Sequence, residues 1–272
     1  MSLPEPHPQR SVLCFQGMTE SQIETFYPVI YSYARECIYP ERQKSSSKGR
    51  REKWWLYTSP AADLYEAIKG LSRVLVTCFT SKFTTFLFLP KEMVFSNAVV
   101  VVASDKGAML ATLQSCFHEM WVKSYSSTLE TRQRYVLSDC FETFPFPDSF
   151  TPELDDMGER YDVLRRHIMT SRNIGLTALY NLFHDPSKND LELEEMRQLQ
   201  REIDEAVRDA YGWSDIDLGH GFHEVGYLPA NDNVRYTISE PARIEILKRL
   251  SALNRQRWEE EEAKGLHKKG KK

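Results

Sequence analysis

The chain has 272 residues, of which 41% are hydrophobic, 12% aromatic and 27% charged. This composition is typical of a globular protein and excludes the fibrous and intrinsically disordered classes, while the length allows one large or two ordinary domains. The formal net charge of -4 excludes a histone-like coat of positive charge, although a local basic patch can be hidden in that average.

The cysteines and the apolar segments indicate a reduced, cytoplasmic protein. The five cysteines are scattered, and no pair has the Cys-x-x-Cys spacing of a zinc ribbon or redox centre. The most apolar segment, residues 83–103, is interrupted by Pro90, Lys91 and Glu92, so it is not a continuous apolar span of about 20 residues. We therefore expect no membrane partner, no structural metal and a cytoplasmic location.

The first half of the chain mixes helical and strand patterns. Apolar residues at helical spacing predict a first helix that Pro40 ends, and runs rich in Val, Thr and Phe predict strands. The uninterrupted run Val99–Val102 suits a strand buried on both faces, and Asp105 suits the N-cap of the next helix. The predicted elements are a helix at 19–39, a mobile serine-rich loop at 43–49, a helix at 64–71, strands at 74–79, 83–89 and 94–103, a helix at 106–125 and a strand near 135–141.

The second half is predicted to be almost wholly helical. Its helices are expected at 151–171, 174–184, 190–211 and 239–264. The pattern Ser187-x-x-Asp190 and the triplet Ser239-Glu240-Pro241 are typical of helix N-termini, and a glycine-rich connector covers 212–237. The predicted fold class is therefore α+β: a mixed α/β domain with a short, mainly antiparallel sheet, followed by a helical C-terminal domain.

A basic stretch in the first half suits contact with a polyanion. Between residues 42 and 53 the sequence places six cations against one acid, Glu52, and Trp54 and Trp55 follow directly. Such cations contact phosphates, and aromatic rings beside them can stack on bases, although large aromatics more often serve packing. We favour packing for the tryptophans. The predicted phosphate contacts are Arg42, Lys44, Lys48, Arg50, Arg51 and Lys53.

Polar residues at the ends of the predicted strands form a second candidate set. Loops at strand ends are where polar side chains can reach base edges in a DNA groove. One group lies at a turn between two predicted strands, and the other lies just before a later strand. The base-reading candidates are Ser81, Lys82, Thr84, Thr85, Arg132 and Arg134.

Two other arrangements suggest catalysis and have a structural alternative. His220, His223 and Glu224 could bind a divalent metal in a hydrolase, but their spacing is loose and one loop supplies no complete ligand set. Ser115 and His118 lie three residues apart on a predicted helix, yet no third group orients the histidine. We favour hydrogen-bonded loop histidines and a packed helix. A helical protein-interaction scaffold is a third alternative.

The motifs of DNA methyl transfer are not found in the sequence. An adenine methyltransferase uses a glycine-rich turn for S-adenosylmethionine and an Asn/Asp-Pro-Pro-aromatic loop for the flipped base. No asparagine precedes a proline here, and the Asp185-Pro186 pair is followed by Ser187 and Lys188. A restriction nuclease would also need spaced acids and a lysine around a metal site. The one Glu-x-Lys pattern, Glu262 to Lys264, lies in the predicted C-terminal helix, where solvated surface is the better interpretation. We expect no cofactor and no catalytic residue in this chain.

Several motifs in a fixed order resemble a known family. The carrying residues are Tyr39-Pro-Glu-Arg42, Arg50-Arg51, Trp54-Trp55, Leu64-Tyr65-Glu-Ala-Ile68, Leu110-x-x-Leu113-x-Ser115-x-x-His118-x-x-Trp121, Arg134-Tyr135, Thr143-Phe144-Pro145-Phe146-Pro147, Leu179-Tyr180-Asn-x-Phe183-His184-Asp185-Pro186, Ala210-Tyr211-Gly212-Trp213, Asp217 through Glu224 and Tyr236 through Arg243. This set resembles the target-recognition region and C-terminal extension of MmeI-like type IIG/IIL restriction-modification enzymes and of BREX phage-defence adenine methyltransferases.

The resemblance implies a domain organisation and partners. It implies a tail at 1–18, a DNA target-recognition domain at 19–150, a helical C-terminal domain at 151–264 and a disordered basic tail at 265–272. It also implies double-stranded DNA as partner and, in the parent enzyme, S-adenosylmethionine-dependent methylation of adenine N6. Members of the family carry the methyltransferase domain upstream, so we expect a fragment or a separate subunit that acts with such a domain in cis or in trans.

Overall fold

A computed structural model of the chain describes residues 11–57, 61–129, 132–226 and 228–267. The chain divides into two compact units. Unit 1 is formed mainly by Leu71–Lys91 and Phe95–Lys272, and unit 2 by Pro8–Gly70 and Glu92–Val94. The division at residue 150, which the family resemblance implies, stays a prediction.

Unit 2 is a small helical unit around two aromatic anchors. Thr19 accepts the backbone N–H of Gln22 and caps the first helix, and Pro28 begins the second helix, where its missing N–H costs nothing. The core contains Phe15, Ile23, Tyr31, Ala34 and Trp54, so part of the predicted tail is packed. Its helices are α1 (Glu20–Phe26), α2 (Pro28–Cys37), α3 (Tyr39–Gln43), α4 (Lys48–Glu52) and α5 (Ala62–Ile68).

Three expectations for unit 2 are wrong. The helix predicted at 19–39 is divided at Tyr27, because Pro28 cannot donate a hydrogen bond to the preceding turn. Pro40 does not end the helical region but lies in the first turn of α3. The loop predicted at 43–49 is also shorter than expected, since α4 begins at Lys48.

Unit 1 begins with a three-stranded antiparallel sheet in the order β3-β1-β4. The strands are β1 (Arg73–Cys78), β3 (Leu87–Pro90) and β4 (Val99–Val102), and Leu75 lies opposite both Phe88 and Val102. The central strand β1 is buried on both faces. The sequence predicts burial on both faces for Val99–Val102 as well. That prediction is wrong, because β4 is an edge strand whose residues alternate between buried and half-buried.

A second small sheet and three helices follow the first sheet. β2 (Thr80–Ser81), β6 (Arg132–Arg134) and β5 (Ser127–Leu129) form a sheet in the order β2-β6-β5. The helix predicted at 106–125 is divided at Ser115 into α6 (Gly107–Gln114) and α7 (Cys116–Tyr125). The N-cap of α6 is Lys106 rather than Asp105, whose carboxylate accepts hydrogen bonds from Ser72. The strand predicted near 135–141 is instead a short helix, α8 (Leu137–Cys140).

The four helices predicted for the second half are confirmed. They are α9 (Pro152–Ser171), α10 (Leu176–Phe183), α11 (Leu191–Ala210) and α12 (Glu240–Ala263). Asp190 and Ser239 accept backbone N–H groups as N-caps of α11 and α12. The connector contains an unpredicted hairpin of β7 (Gly221–Glu224) and β8 (Val234–Thr237). In the part of the chain that the structure describes, no helix combines the length and apolar character needed to cross a membrane.

Helices α6 and α9 approach each other at two glycines, Gly107 and Gly158. A methyl carbon on Gly158 would lie 2.9 Å from the Cα atom of Gly107, which is closer than two carbons can approach. The backbone N–H of Ala108 also donates to the Asp155 carboxylate at 2.9 Å. This contact joins the segment that follows the sheet to the helical half of unit 1. The α+β fold class, with small antiparallel sheets and a helical C-terminal region, is confirmed.

Candidate nucleic-acid interface

Five of the six predicted phosphate contacts lie on α3, α4 and the turn between them, and the sixth, Lys53, is the C-cap of α4. Lys48, Arg50 and Lys53 are exposed to solvent. Arg51 is half-buried, and its Nη1 atom donates to the carbonyls of Ser45 and Ser46 at 2.7 and 3.0 Å. Arg51 therefore braces the turn between α3 and α4, and part of the segment predicted to be a mobile loop is helical.

The two tryptophans after this segment anchor it to the core of unit 2. Trp54 is only 2% exposed, and its indole N–H donates to the Glu20 carboxylate at 3.0 Å. The indole N–H of Trp55 donates to the Met18 carbonyl at 3.0 Å, and the two rings meet edge to face. The packing interpretation is confirmed for Trp54, and Trp55 is half-buried beside it.

Three of the base-reading candidates in unit 1 do not present free polar groups at the surface. Thr84 and Thr85 are 8% and 7% exposed, and the Thr84 hydroxyl lies 3.4 Å from the Gln133 side-chain oxygen. The Ser81 hydroxyl donates to the Phe83 carbonyl at 2.7 Å. A polar side chain must reach solvent to meet a base edge, so the buried Thr84 and Thr85 do not fit the predicted base-reading role in this structure.

Lys82 is held by two groups that lie far away in the sequence. Its ammonium group lies 2.8 Å from the Asp232 carboxylate and 2.9 Å from the side-chain oxygen of Asn181. The Asp232 carboxylate also contacts the largely buried Arg235, so one acid faces two cations. Burial raises the pKa of Asp232, but the bonds from Lys82 and Arg235 outweigh that effect and lower it below its usual range.

Arg134 is the described candidate that is most available for an external contact. Its side chain is exposed, and its guanidinium lies over the Phe79 ring at 4.8 Å from the ring centre. Gln133, its neighbour on β6, is buried and donates to the Ser126 hydroxyl at 2.8 Å. Arg132 belongs to the same strand, but its side chain lies outside the described residues.

The histidines of the predicted metal alternative are not brought together. His220 pairs with Asp204 at 2.9 Å, whereas the Nε2 atom of His223 lies 2.9 Å from the Gly219 carbonyl. Within the described ranges, no three His, Cys, Asp or Glu side chains form a group that could hold a metal ion. Asp204 also accepts the backbone N–H of Cys116 at 2.8 Å, so this buried pair joins α11 to the start of α7.

Ser115 and His118 are both packed in the core of unit 1. The Ser115 hydroxyl donates to the Thr112 carbonyl at 2.7 Å. The two ring nitrogens of His118 lie 2.9 Å from the Leu113 carbonyl and 3.0 Å from the Tyr135 hydroxyl. Burial lowers the pKa of His118 to about 4, so the imidazole is neutral in the folded protein at neutral pH. The packed-helix interpretation is confirmed.

Among the described candidates, Arg134 of unit 1 is exposed on β6, and Lys48, Arg50 and Lys53 of unit 2 are exposed on one short segment. Residues 63–148 match the family model described as "MmeI, target recognition domain". The predicted resemblance is thereby confirmed, and it covers Lys82, Arg132 and Arg134.

Two further similarities agree with this assignment. A stretch of 68 residues is 31% identical to DNA methyltransferase A of Bacillus subtilis (strain 168), covering 25% of this chain and 8% of that protein. The fold is similar to a solved structure of the type IIL restriction-modification enzyme MmeI in complex with DNA. The TM-score is 0.54, with 22% identity over 90% of this chain and 29% of that chain. The chain thus spans a minor part of both relatives.

Proposed function

We propose that this chain recognises a specific sequence in double-stranded DNA as the non-catalytic part of a restriction-modification or phage-defence methyltransferase. The observation that carries the proposal is the match of residues 63–148 to the MmeI target recognition domain. The parent enzyme would methylate the N6 atom of adenine with S-adenosylmethionine as methyl donor. The chain would act in the cytoplasm with a methyltransferase domain in cis or in trans.

The two units carry different kinds of contact in this proposal. The exposed cations of unit 2 contact phosphates, which fixes the register on DNA without reading sequence. Arg134, with Arg132 on the same strand, reads a base edge, because an arginine can bond two acceptors of guanine at once. Lys82 reads a base only if DNA displaces Asp232 or Asn181 from its ammonium group.

The residues present do not fit S-adenosylmethionine. Nucleotide-type cofactors bind at the carboxyl ends of parallel strands, beside a glycine-rich turn that opens a helix. Both three-stranded sheets of the described chain are antiparallel. The space beside Gly107, the first residue of α6, is occupied by the backbone of α9 and leaves no room for a ligand. The cofactor therefore belongs to the methyltransferase domain. Purified chain should transfer no labelled methyl group to DNA, and transfer by this chain alone would contradict the assignment.

Selection from a random library tests sequence recognition directly. The chain is incubated with a randomised duplex, bound DNA is recovered over several rounds, and both pools are sequenced. We expect one short motif to be enriched by the wild type and changed at a single position by Arg134→Ala. Arg255→Ala is the control, because this exposed arginine pairs with Glu259 on the same helix. Recovery of a random pool by the wild type would refute sequence-specific recognition.

A further inference from the structure

Unit 2 contains a groove whose lining combines cations with aromatic rings. It has a volume of about 520 Å³ and opens to solvent. Its cations are Arg35, Lys48 and Arg51, and its rings are those of Tyr39 and Trp54. The remaining lining residues are Glu20, Gln43 and Glu52.

Arg35 is the member of this groove that lies outside the basic stretch. It belongs to α2, and its side chain is 55% exposed. Its Nη1 atom donates to the Tyr31 hydroxyl at 2.5 Å, and its guanidinium lies over the Tyr39 and Tyr31 rings at 5.5 and 5.8 Å from their centres. Glu20 lies 3.6 Å from the same Nη1 atom. The guanidinium is therefore held in place although more than half of the side chain faces solvent.

Hydrogen bonds also fix the lining residues on the other side of the groove. The Glu20 carboxylate accepts the Tyr31 hydroxyl at 2.9 Å and the Trp54 indole N–H at 3.0 Å, which partly satisfies its charge. The Gln43 amide donates to the Arg51 carbonyl at 3.0 Å and joins α3 to α4. A cation that is already positioned loses less side-chain entropy on binding than a free lysine does.

We propose that Arg35 and this groove hold a phosphate of the DNA backbone, in addition to the phosphate contacts proposed above for Lys48 and Arg50. This inference rests on the proposed function, because it names a further contact for the same ligand. The charge balance supports it: the groove carries three cations, Arg35, Lys48 and Arg51, against the two carboxylates Glu20 and Glu52. Glu20 lies 3.6 Å from Arg35 and Glu52 lies 3.6 Å from Lys48, so these pairs leave one net positive charge in the groove. Tyr31 is then a positioning residue that acts through Arg35.

The test is binding of the full chain to a fluorescently labelled duplex of arbitrary sequence at several salt concentrations. Arg35→Gln should weaken binding about tenfold, as expected for a charge-assisted hydrogen bond, and flatten the salt slope by about 0.9. Arg35→Lys should retain the wild-type salt slope but only part of the affinity, because a lysine ammonium lacks the planar guanidinium donors that Tyr31 and Tyr39 hold in place. Arg255→Gln, an exposed arginine of unit 1, should change neither quantity.

A double-substitution cycle separates positioning from stability. Tyr31→Phe keeps the ring and removes the hydroxyl that holds Arg35, so we expect roughly threefold weaker binding. In the Arg35→Gln background the same substitution should have no further effect, since its target is gone. Additive effects of the two substitutions would overturn the positioning role of Tyr31.

The failure of this inference can be told from the failure of the proposed function. If Arg35→Gln leaves affinity and salt slope unchanged while Arg50→Ala reduces both, DNA binding stands and the groove does not take part. If the wild type does not bind duplex at all, both the groove and the DNA-binding function are refuted.

Discussion

The close approach of α6 and α9 makes a sharp prediction about Gly158. A methyl carbon at this position would lie 2.9 Å from the Gly107 Cα atom and 2.5 Å from its carbonyl carbon. Favourable carbon contacts need about 3.5–4.0 Å, so the helices would have to separate by roughly 1 Å. Both colliding groups are backbone, and no side-chain rotation can relieve the overlap.

The magnitude follows from two opposing effects. Overpacking a core costs about 1–3 kcal/mol and occasionally more, and separation would also stretch the bond from the Ala108 N–H to Asp155. Alanine gains about 1 kcal/mol over glycine inside a helix, which offsets part of this cost. We expect Gly158→Ala to lower the free energy of unfolding of unit 1 by about 1–2 kcal/mol net.

Urea unfolding followed by circular dichroism measures this change, with Gly226→Ala as the matched control. A methyl carbon at Gly226 would meet no atom within 4 Å, so we expect a change within about 0.5 kcal/mol. Gly107→Ala should resemble Gly158→Ala, because its added carbon would overlap the backbone carbonyl oxygen of Asp155 on α9. Equal stability of Gly158→Ala and Gly226→Ala would refute the close packing of α6 on α9.

Three further predictions concern stability and recognition. Because burial lowers the pKa of His118 to about 4, its imidazole stays neutral in the folded protein at pH 5, whereas in the unfolded chain it gains a proton below about pH 6.5. The free energy of unfolding should therefore fall by about 2 kcal/mol from pH 6.5 to 5. His118→Gln should abolish this part of the pH dependence in urea unfolding. Arg197→Lys should cost about 2–4 kcal/mol in the same assay, because the buried guanidinium donates to the Phe183 and Lys188 carbonyls at 3.0 and 2.6 Å, and a lysine cannot reach both. Arg134→Ala should cost about 1–3 kcal/mol of binding on the selected site alone, and an equal loss on unrelated duplexes would show a phosphate contact instead.

The sequence predicts the four helices α9 to α12 well because their signals are local. Asp190 and Ser239 cap helices whose apolar faces recur at helical spacing, and these caps are read directly from the sequence. The break at Ser115 is not local. The first N–H of α7 donates to Asp204, which lies 88 residues further along the chain. No pattern within the segment 106–125 reports that partner.

The candidate site shows the same division between local and distant causes. The cluster of cations at 42–53 is visible in the sequence, and the structure keeps it on one ordered segment. The availability of each side chain depends on distant partners: Lys82 is occupied by Asp232, and Thr84 is buried beside Gln133. The sequence does not single out Arg35, because this residue lies on a different helix from the basic stretch; its local signal is Tyr31, one turn earlier on α2.

The salt dependence of duplex binding tests the DNA-recognition account most directly. The isolated chain should bind unrelated duplex with a Kd of about 10⁻⁴–10⁻⁶ M, and binding should weaken steeply as salt is added. Substituting the three exposed cations Lys48, Arg50 and Lys53 together by alanine should weaken binding to all sequences alike and flatten the salt slope by up to about three. A triple variant with the wild-type affinity and slope would contradict the assignment of this basic segment as the phosphate-binding surface.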